Sequence, residues 1–406
     1  MAASQLICRE CGADYPLEAR YVCNRCFGPL EVKYTNGHLK ADLPELRRRI
    51  QSGPQNIWRY ADFLPVDAPP GPSTRATSRA GLPAGCTPLV KADRLAERLG
   101  LREVWVKNDA ANPTHSFKDR VVAVALACAS TGNLANAVAA AAALGADSYV
   151  FIPADPEEQK ILATGVYGTN LVKVKGNYDD VNRLCTELSG EHESWAFVNV
   201  NLRPYYAEGS KTLAYEIAEQ LGWRTPDRVV APIASGSLYT KVAKGFEEWS
   251  ELGLITGDQP AFNGAQAVGC SPVAQAYAAG HDVCRPVKPD TIAKSLAIGN
   301  PADGPYAIEL AKRSGGSIDA VTDDEIVEGI RLLAETTGIF TETAGGTTTA
   351  TLAKLAARGD IGADERVVLL ITGEGLKTLD AVRGTFESYE IEPSYAAFES
   401  AVGVTA

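Results

Sequence analysis

The sequence predicts an α/β protein made of two doubly wound parallel units behind a small metal-stabilised module. Three observations carry this. From about residue 86, short β-branched runs alternate with amphipathic or alanine-rich stretches, as expected of parallel strands covered by helices. The strand runs are not interrupted by polar positions, so both sheet faces are expected to be buried. The first 35 residues hold two CxxC pairs, Cys8/Cys11 and Cys23/Cys26, separated by eleven residues. Each pair can bend two thiolates onto one ion, and two such knuckles complete a tetrahedral S₄ site suited to structural Zn²⁺.

Residues 1–35 read as a zinc-ribbon-like module with short strands at "YVC" and "LEVKY". A module this small buries little apolar surface, so metal ligation would supply the missing free energy. The remainder, 36–406, reads as one catalytic region. It opens with a charged helix, "ADLPELRRRI", and a crossing segment dense in Pro, Gly and Ser up to residue 85. A smaller subdomain is expected over roughly 90–205, and a larger one over 206–385 together with 36–89. "VWVKN" (104–108), "SYVFIP" (148–153) and "NLVKVKG" are expected strands. "ANAVAAAAALG" (135–145), "EEQKILATGVYG" and "DVNRLCTELSGEH" are expected helices; the last carries Val181, Leu184, Cys185 and Leu188 on one face. Beyond it come "DRVVAP", "FNGAQAV" and "RVVLLI" as strands, with helices between them. Units of this kind hold ligands in the cleft at their strand C-termini.

Composition narrows the function classes. The 406 residues are 45% hydrophobic and 22% charged, with a formal net charge of −11. That balance argues against general binding to nucleic acid or anionic membranes, which needs basic patches. No run of about 18 apolar residues is present, and "MAASQLICRE" lacks a signal-peptide core. A cytoplasmic protein is expected, with its nine cysteines reduced or metal-bound. Cys86, Cys128, Cys185, Cys270 and Cys284 are scattered and read as small buried hydrophobes.

The chemistry gathers around "NPTHSFKDR" (112–120), which places Lys118 directly before an apolar run. Three small-residue loops follow expected strands: "ASTGNLAN" (129–136), "IASGSLYTKV" (233–242) and "ITGEGLKT" (371–378). Such loops let backbone N–H groups approach an anion, and the following helix N-terminus favours negative charge. None has Walker A or GxGxxG spacing. A lysine plus phosphate-cradling loops points to pyridoxal phosphate (PLP), which an amine binds covalently while backbone amides hold its phosphate. Asp119 and Arg120 read as structural charges and His115 as a turn residue. Lys241 and Lys244 read as a solvated face within reach of a phosphate, and Glu342 as a cleft carboxylate of unidentified partner.

These motifs resemble the fold-type II PLP enzymes. With the ribbon, "GCTPLV" (85–90), "VNVNLRPYYAEGSKT" (198–212), "SLAIGNPADGP" (295–305), "GIFTETAGGTT" (338–348) and "TGEGLKT", the chain resembles their threonine synthase branch from the ribbon to about residue 385. The resemblance implies that Lys118 anchors PLP covalently and that Asn133 hydrogen-bonds the ring 3′-oxygen. It implies a phosphate loop at Ser235-Gly236-Ser237-Leu238-Tyr239, and Thr372 facing the pyridine nitrogen. Ser130 and Thr131 would sit near the substrate carboxylate. The implied reaction converts O-phospho-L-homoserine and water to L-threonine and phosphate, with Lys118 freed by the substrate amine to move protons. A homodimer is one assembly the family suggests.

The chain departs from the family in one place. Lys118 and Asn133 are only 15 residues apart, too few for the full helix, loop and strand that the family puts there. Three readings stay open on the sequence: an active enzyme with a rebuilt element, an impaired deletion variant, or a relative recruited to ligand binding. Another β- or γ-replacement reaction, such as cysteate synthesis, is the enzymatic alternative.

Overall fold

In a computed structural model of the chain, the described residues are 3–20, 22–66, 82–124, 133–143, 148–153, 157–192, 195, 197, 198, 200 and 202–403. The ribbon is a three-stranded antiparallel sheet of β1 (Ala3–Cys8), β2 (Asp14–Tyr15) and β3 (Leu30–Tyr34), in the order β2-β1-β3. Of the expected "YVC" strand, Tyr21 lies outside the described residues and Val22 forms a bridge with Pro29. The charged segment forms helix α1 (Leu43–Ser52), whose Glu45 amide is capped by the Asp42 carboxylate at 3.0 Å.

The main sheet has six strands. β4 (Leu89–Lys91), β5 (Glu103–Asn108), β8 (Arg228–Pro232), β9 (Ala261–Ala267), β10 (Ile318–Val321) and β11 (Arg366–Ile371) are ordered β10-β9-β8-β11-β5-β4. All neighbours are parallel except β4, which runs antiparallel to β5 at one edge. The central strands "RVVAP" and "RVVLLI" are almost wholly buried, as two-sided cover requires. A second sheet, among the described residues, is the parallel pair β6 (Tyr149–Pro153) and β7 (Asn170–Val174).

The helices, in order, are α2 (Asp93–Leu99), α3 (Lys118–Val124), α4 (Asn133–Ala142), α5 (Glu158–Gly165) and α6 (Tyr178–Glu191). Then come α7 (Arg203–Glu208), α8 (Lys211–Gln220), α9 (Ser237–Leu252), α10 (Pro272–Ala278) and α11 (Gly304–Ser314). The last are α12 (Asp323–Thr337), α13 (Thr343–Arg358) and α14 (Tyr395–Val402). Helix α12 starts at a reciprocal cap: Thr322 accepts from the Glu325 amide, and Glu325 accepts from the Thr322 amide.

The expected subdomain boundary at residue 90 needs correction. β5 pairs along its whole length with β11, so residues 103–108 belong to the large sheet and not to a unit spanning 90–205. Parallel pairing to an already buried strand satisfies β5's backbone groups, which a separate small unit would leave at an edge.

Most of the short interval after Lys118, residues 125–132, lies outside the described residues, but the helices flanking it pack together. Val121 and Val122 of α3 meet Leu134, Ala137 and Val138 of α4 in one apolar cluster. Every residue of α4 is buried.

Candidate active site

The turn before Lys118 is closed by its own residues. Asp119 accepts hydrogen bonds from the Thr114 amide and hydroxyl, both at 2.7 Å. Burial outweighs these bonds and raises the Asp119 carboxyl to about 6. His115 is exposed with a left-handed φ of 60°, a turn position and not an acid–base one. The turn then pairs with the strand end that carries Thr372. The Phe117 amide donates to the Thr372 carbonyl at 3.0 Å, and the Glu374 amide to the His115 carbonyl at 3.2 Å. This antiparallel contact sets Lys118 beside Thr372.

Arg120 anchors the turn from behind. Fully buried, its guanidinium donates to Asp109 at 2.7 Å and to Glu216 at 2.6 Å. Lys107 completes the network with a 2.7 Å bond to Glu216. Burial alone would raise the Glu216 carboxyl, but Arg120 and Lys107 hold it well below its ordinary value. These charges are structural.

Lys118 opens into a cavity of about 180 Å³ that Asn133, Ser235, Gly236, Ser237, Leu238 and Thr372 also line. It lies beyond the C-terminal ends of β8 and β11, where α/β sheets bind ligands. The Lys118 amine donates to the Tyr206 hydroxyl at 2.7 Å. At the far end, the 16-residue helix α9 begins at Ser237, preceded by Gly236 with φ of 98°. A side chain at 236 would meet the Asp303 carbonyl at 2.8 Å, so the turn requires glycine. Asp303 braces the loop: its amide donates to the Ser235 carbonyl at 2.8 Å, and its carboxylate pairs with Arg203.

Asn133 lies in a buried polar chain. Its side-chain amide nitrogen donates to the Glu342 carboxylate at 2.8 and 2.9 Å, and its oxygen accepts from Lys377 at 3.0 Å. Lys377 also donates to the Thr114 carbonyl at 2.5 Å. Burial lowers the Lys377 ammonium from its ordinary value, with Glu342 acting in the opposite sense. Gly373 is needed here, because a Cβ there would reach 2.3 Å from the Glu342 carboxylate.

Residues 81–373 match the family described as pyridoxal-phosphate dependent enzymes. The chain is 37% identical over 401 residues to the threonine synthase of Methanocaldococcus jannaschii, covering 95% of this chain and 96% of that protein. It belongs to the threonine synthase branch of the PLP enzymes. The threonine synthase of Methanosarcina acetivorans is likewise 37% identical, over 92% of both chains. A threonine deaminase isoform from Solanum lycopersicum shares the fold, with a TM-score of 0.61 at 21% identity, covering 80% of this chain and 92% of its own.

The residues present fit the branch's cofactor. A lysine amine, a buried threonine hydroxyl and a helix N-terminus behind a glycine turn line one cavity. The Ser295 hydroxyl lines it as well, buried without a hydrogen-bond partner among the described residues. Of the residues expected to touch PLP, Tyr239 is not brought to the cavity. Its hydroxyl donates to the Phe262 carbonyl at 2.7 Å and its ring packs edge-on against Phe262. As the third residue of α9 it turns its side chain toward the core, leaving its first-turn backbone amide as its contribution to the loop 235–239. Ser130 and Thr131 lie outside the described residues, as does Cys128.

Lys241 and Lys244 correct the expectation of a solvated face. Both pair with the fully buried Glu208, at 2.8 and 3.2 Å, and Lys241 also pairs with Glu31 of the ribbon. Sequence reasoning missed Tyr206, Arg203, Lys377 and Ser295. The segments "VNVNLRPYYAEGSKT", "SLAIGNPADGP" and "TGEGLKT" signal the neighbourhood, but nothing in their spacing singles out these side chains.

The four ribbon thiols converge. Their sulfurs all lie within 4.8 Å of one another, with Cys8–Cys26 at 3.5 Å and Cys11–Cys23 at 3.6 Å. Tetrahedral ligation at Zn–S distances of about 2.3 Å requires sulfurs about 3.8 Å apart. The Gly28 amide lowers Cys26, but the neighbouring thiols Cys11 and Cys8 outweigh it and push Cys26 up to about 12. The four sulfurs are placed as a set that could hold a metal ion.

Proposed function

We infer that the chain is a threonine synthase, converting O-phospho-L-homoserine and water to L-threonine and phosphate with PLP. The observation that carries this is identity to threonine synthases along almost the whole chain. The alternatives, a different replacement reaction or a non-catalytic relative, are not favoured by the relatives matched along the chain.

PLP, when bound, supplies an electron sink for charge developing on the substrate carbon it activates. The chain's residues do the rest. Lys118 would hold PLP covalently and, as a neutral amine, would be the base that moves protons at the substrate Cα and Cβ. The amides at the start of α9, with Ser235, Gly236, Ser237 and Leu238, hold the cofactor phosphate. Thr372, which lines the cavity, would offer a neutral hydroxyl to the pyridine nitrogen. Asn133, its amide oriented by Lys377 and Glu342, faces the ring oxygen. Ser130 and Thr131 hold the substrate carboxylate. Cys8, Cys11, Cys23 and Cys26 hold a structural Zn²⁺ that lets the ribbon fold as a module over residues 1–35, with 36–406 as the catalytic region. The assembly expected on sizing is a homodimer.

The test is phosphate release from O-phospho-L-homoserine by the PLP-loaded chain. Release that is lost in Lys118→Ala is expected. A chain that binds PLP and releases no phosphate overturns the reading.

A further inference from the structure

We propose that Tyr206 is a catalytic residue, the acceptor that holds the Lys118 amine in place whenever that amine carries a proton. The inference rests on Lys118 being the cofactor lysine. Its amine donates to the Tyr206 hydroxyl at 2.7 Å and lies 4.6 Å from the centre of the Phe117 ring. Tyr206 itself is 7% exposed and packs with Val121, Val122 and Leu134, so its ring has one place to sit.

Helix α7 is held rigidly. At its start Arg203 pairs with Asp303, which braces the 235–237 loop. At its end Glu208 is fully buried and pairs with Lys211 at 2.6 Å, while also accepting from Tyr34 at 2.7 Å. A phenol on so fixed a helix presents its oxygen at a constant point. The proton that Lys118 takes from carbon therefore rests on a nitrogen already aimed back into the cavity, until it is returned to carbon. The phenol oxygen accepts the hydrogen bond from the amine. Among the described residues, the other titratable groups lining the cavity are Arg203, Asp179, Tyr178 and Glu342; of these, Arg203 is paired with Asp303 and Glu342 is bonded to Asn133.

Tyr206→Phe keeps the ring and removes the acceptor. A hydrogen bond to a charged group, lost in a buried site, corresponds to roughly a 10- to 100-fold change. In the PLP-loaded enzyme kcat is expected to fall by that range, with KM within about threefold. A second readout needs no substrate: PLP capture by the cofactor-free chain, followed by absorbance against pH. Only the neutral amine attacks the aldehyde, and loss of the acceptor disfavours the ammonium. The acid limb of the capture rate is therefore expected to move to lower pH in Tyr206→Phe. Tyr205→Phe, whose hydroxyl donates to the Glu18 carbonyl at 2.9 Å, is expected to leave that limb in place. If Tyr206→Phe does not fold, site-specific fluorotyrosine at 206 is isosteric and a weaker acceptor, and a smaller shift in the same direction is expected. Capture profiles that superimpose on wild type, with kcat unchanged, overturn the proposal. Normal capture without phosphate release would instead overturn the threonine synthase reading and leave Tyr206 standing.

Discussion

Replacing Glu31 by Gln tests how the ribbon is fastened to the catalytic region. Glu31 sits on β3 and pairs with Lys241 of α9, while Lys244 approaches it at 3.6 Å. Burial alone would raise its carboxyl, but Lys241 and then Lys244 outweigh burial and hold it at about 2. The unfolded value is near 4.3, so the difference of about 2 units corresponds to about 3 kcal/mol. The sign follows from linkage. A carboxyl depressed in the fold contributes fully above roughly pH 5, and the contribution fades as pH falls toward 2. Glu31→Gln is therefore expected to cost about 3 kcal/mol at pH 7 and roughly half that at pH 3. The assay is chemical unfolding at several pH values, with hydrogen exchange in β3 to report ribbon release. Combining Glu31→Gln with Lys241→Met should cost less than the two single changes added, by about 1 kcal/mol or more. A penalty that does not vary with pH, or strict additivity in the double variant, would refute the clasp.

Three further outcomes are expected. Gly236→Ala forces a non-glycine residue into φ of 98° against the Asp303 carbonyl; PLP titration of the cofactor-free chain should show affinity weakened about tenfold or more. Gly373→Ala drives the Glu342 carboxylate off its Asn133 bonds, so the spectrum of bound PLP should change while thermal stability falls by about 1–3 kcal/mol. Chelation should strip metal from the Cys8–Cys11–Cys23–Cys26 cluster and open the ribbon, exposing four additional thiols to a colorimetric reagent; thiols equally reactive before chelation would contradict a bound ion.

Much of this was legible in the sequence because it is local. The CxxC pairs set four sulfurs around a point with no help from distant residues, and the Gly-Ser turn before α9 carries its own geometry. Lys118, Asn133 and Thr372 could be named from motifs, and the fold brings them to one cavity. What was not legible depends on partners far along the chain. Lys241 resembles any surface lysine of an amphipathic helix until Glu31, 210 positions away, folds over it. Glu342 needed a partner that the sequence could not supply; it proves to be Asn133, 209 positions distant. The boundary near residue 90 failed for the same reason. β5 resembles the opening strand of a new unit, and only its pairing with β11 assigns it to the old one.

That pairing also imposes an order in time. Glu103 and Arg366, ion-paired at the base of β5 and β11, are 263 positions apart. On a ribosome adding about 5–20 residues per second, β5 waits roughly 13–50 s for its neighbour. During that interval the nascent chain carries an apolar strand with an unpaired edge. Because Phe117 meets Thr372 only across the same seam, the cavity cannot form before the last strand emerges. Cofactor capture is thereby deferred until synthesis is nearly finished, and chaperone contact during that wait would most directly affect the yield of active protein.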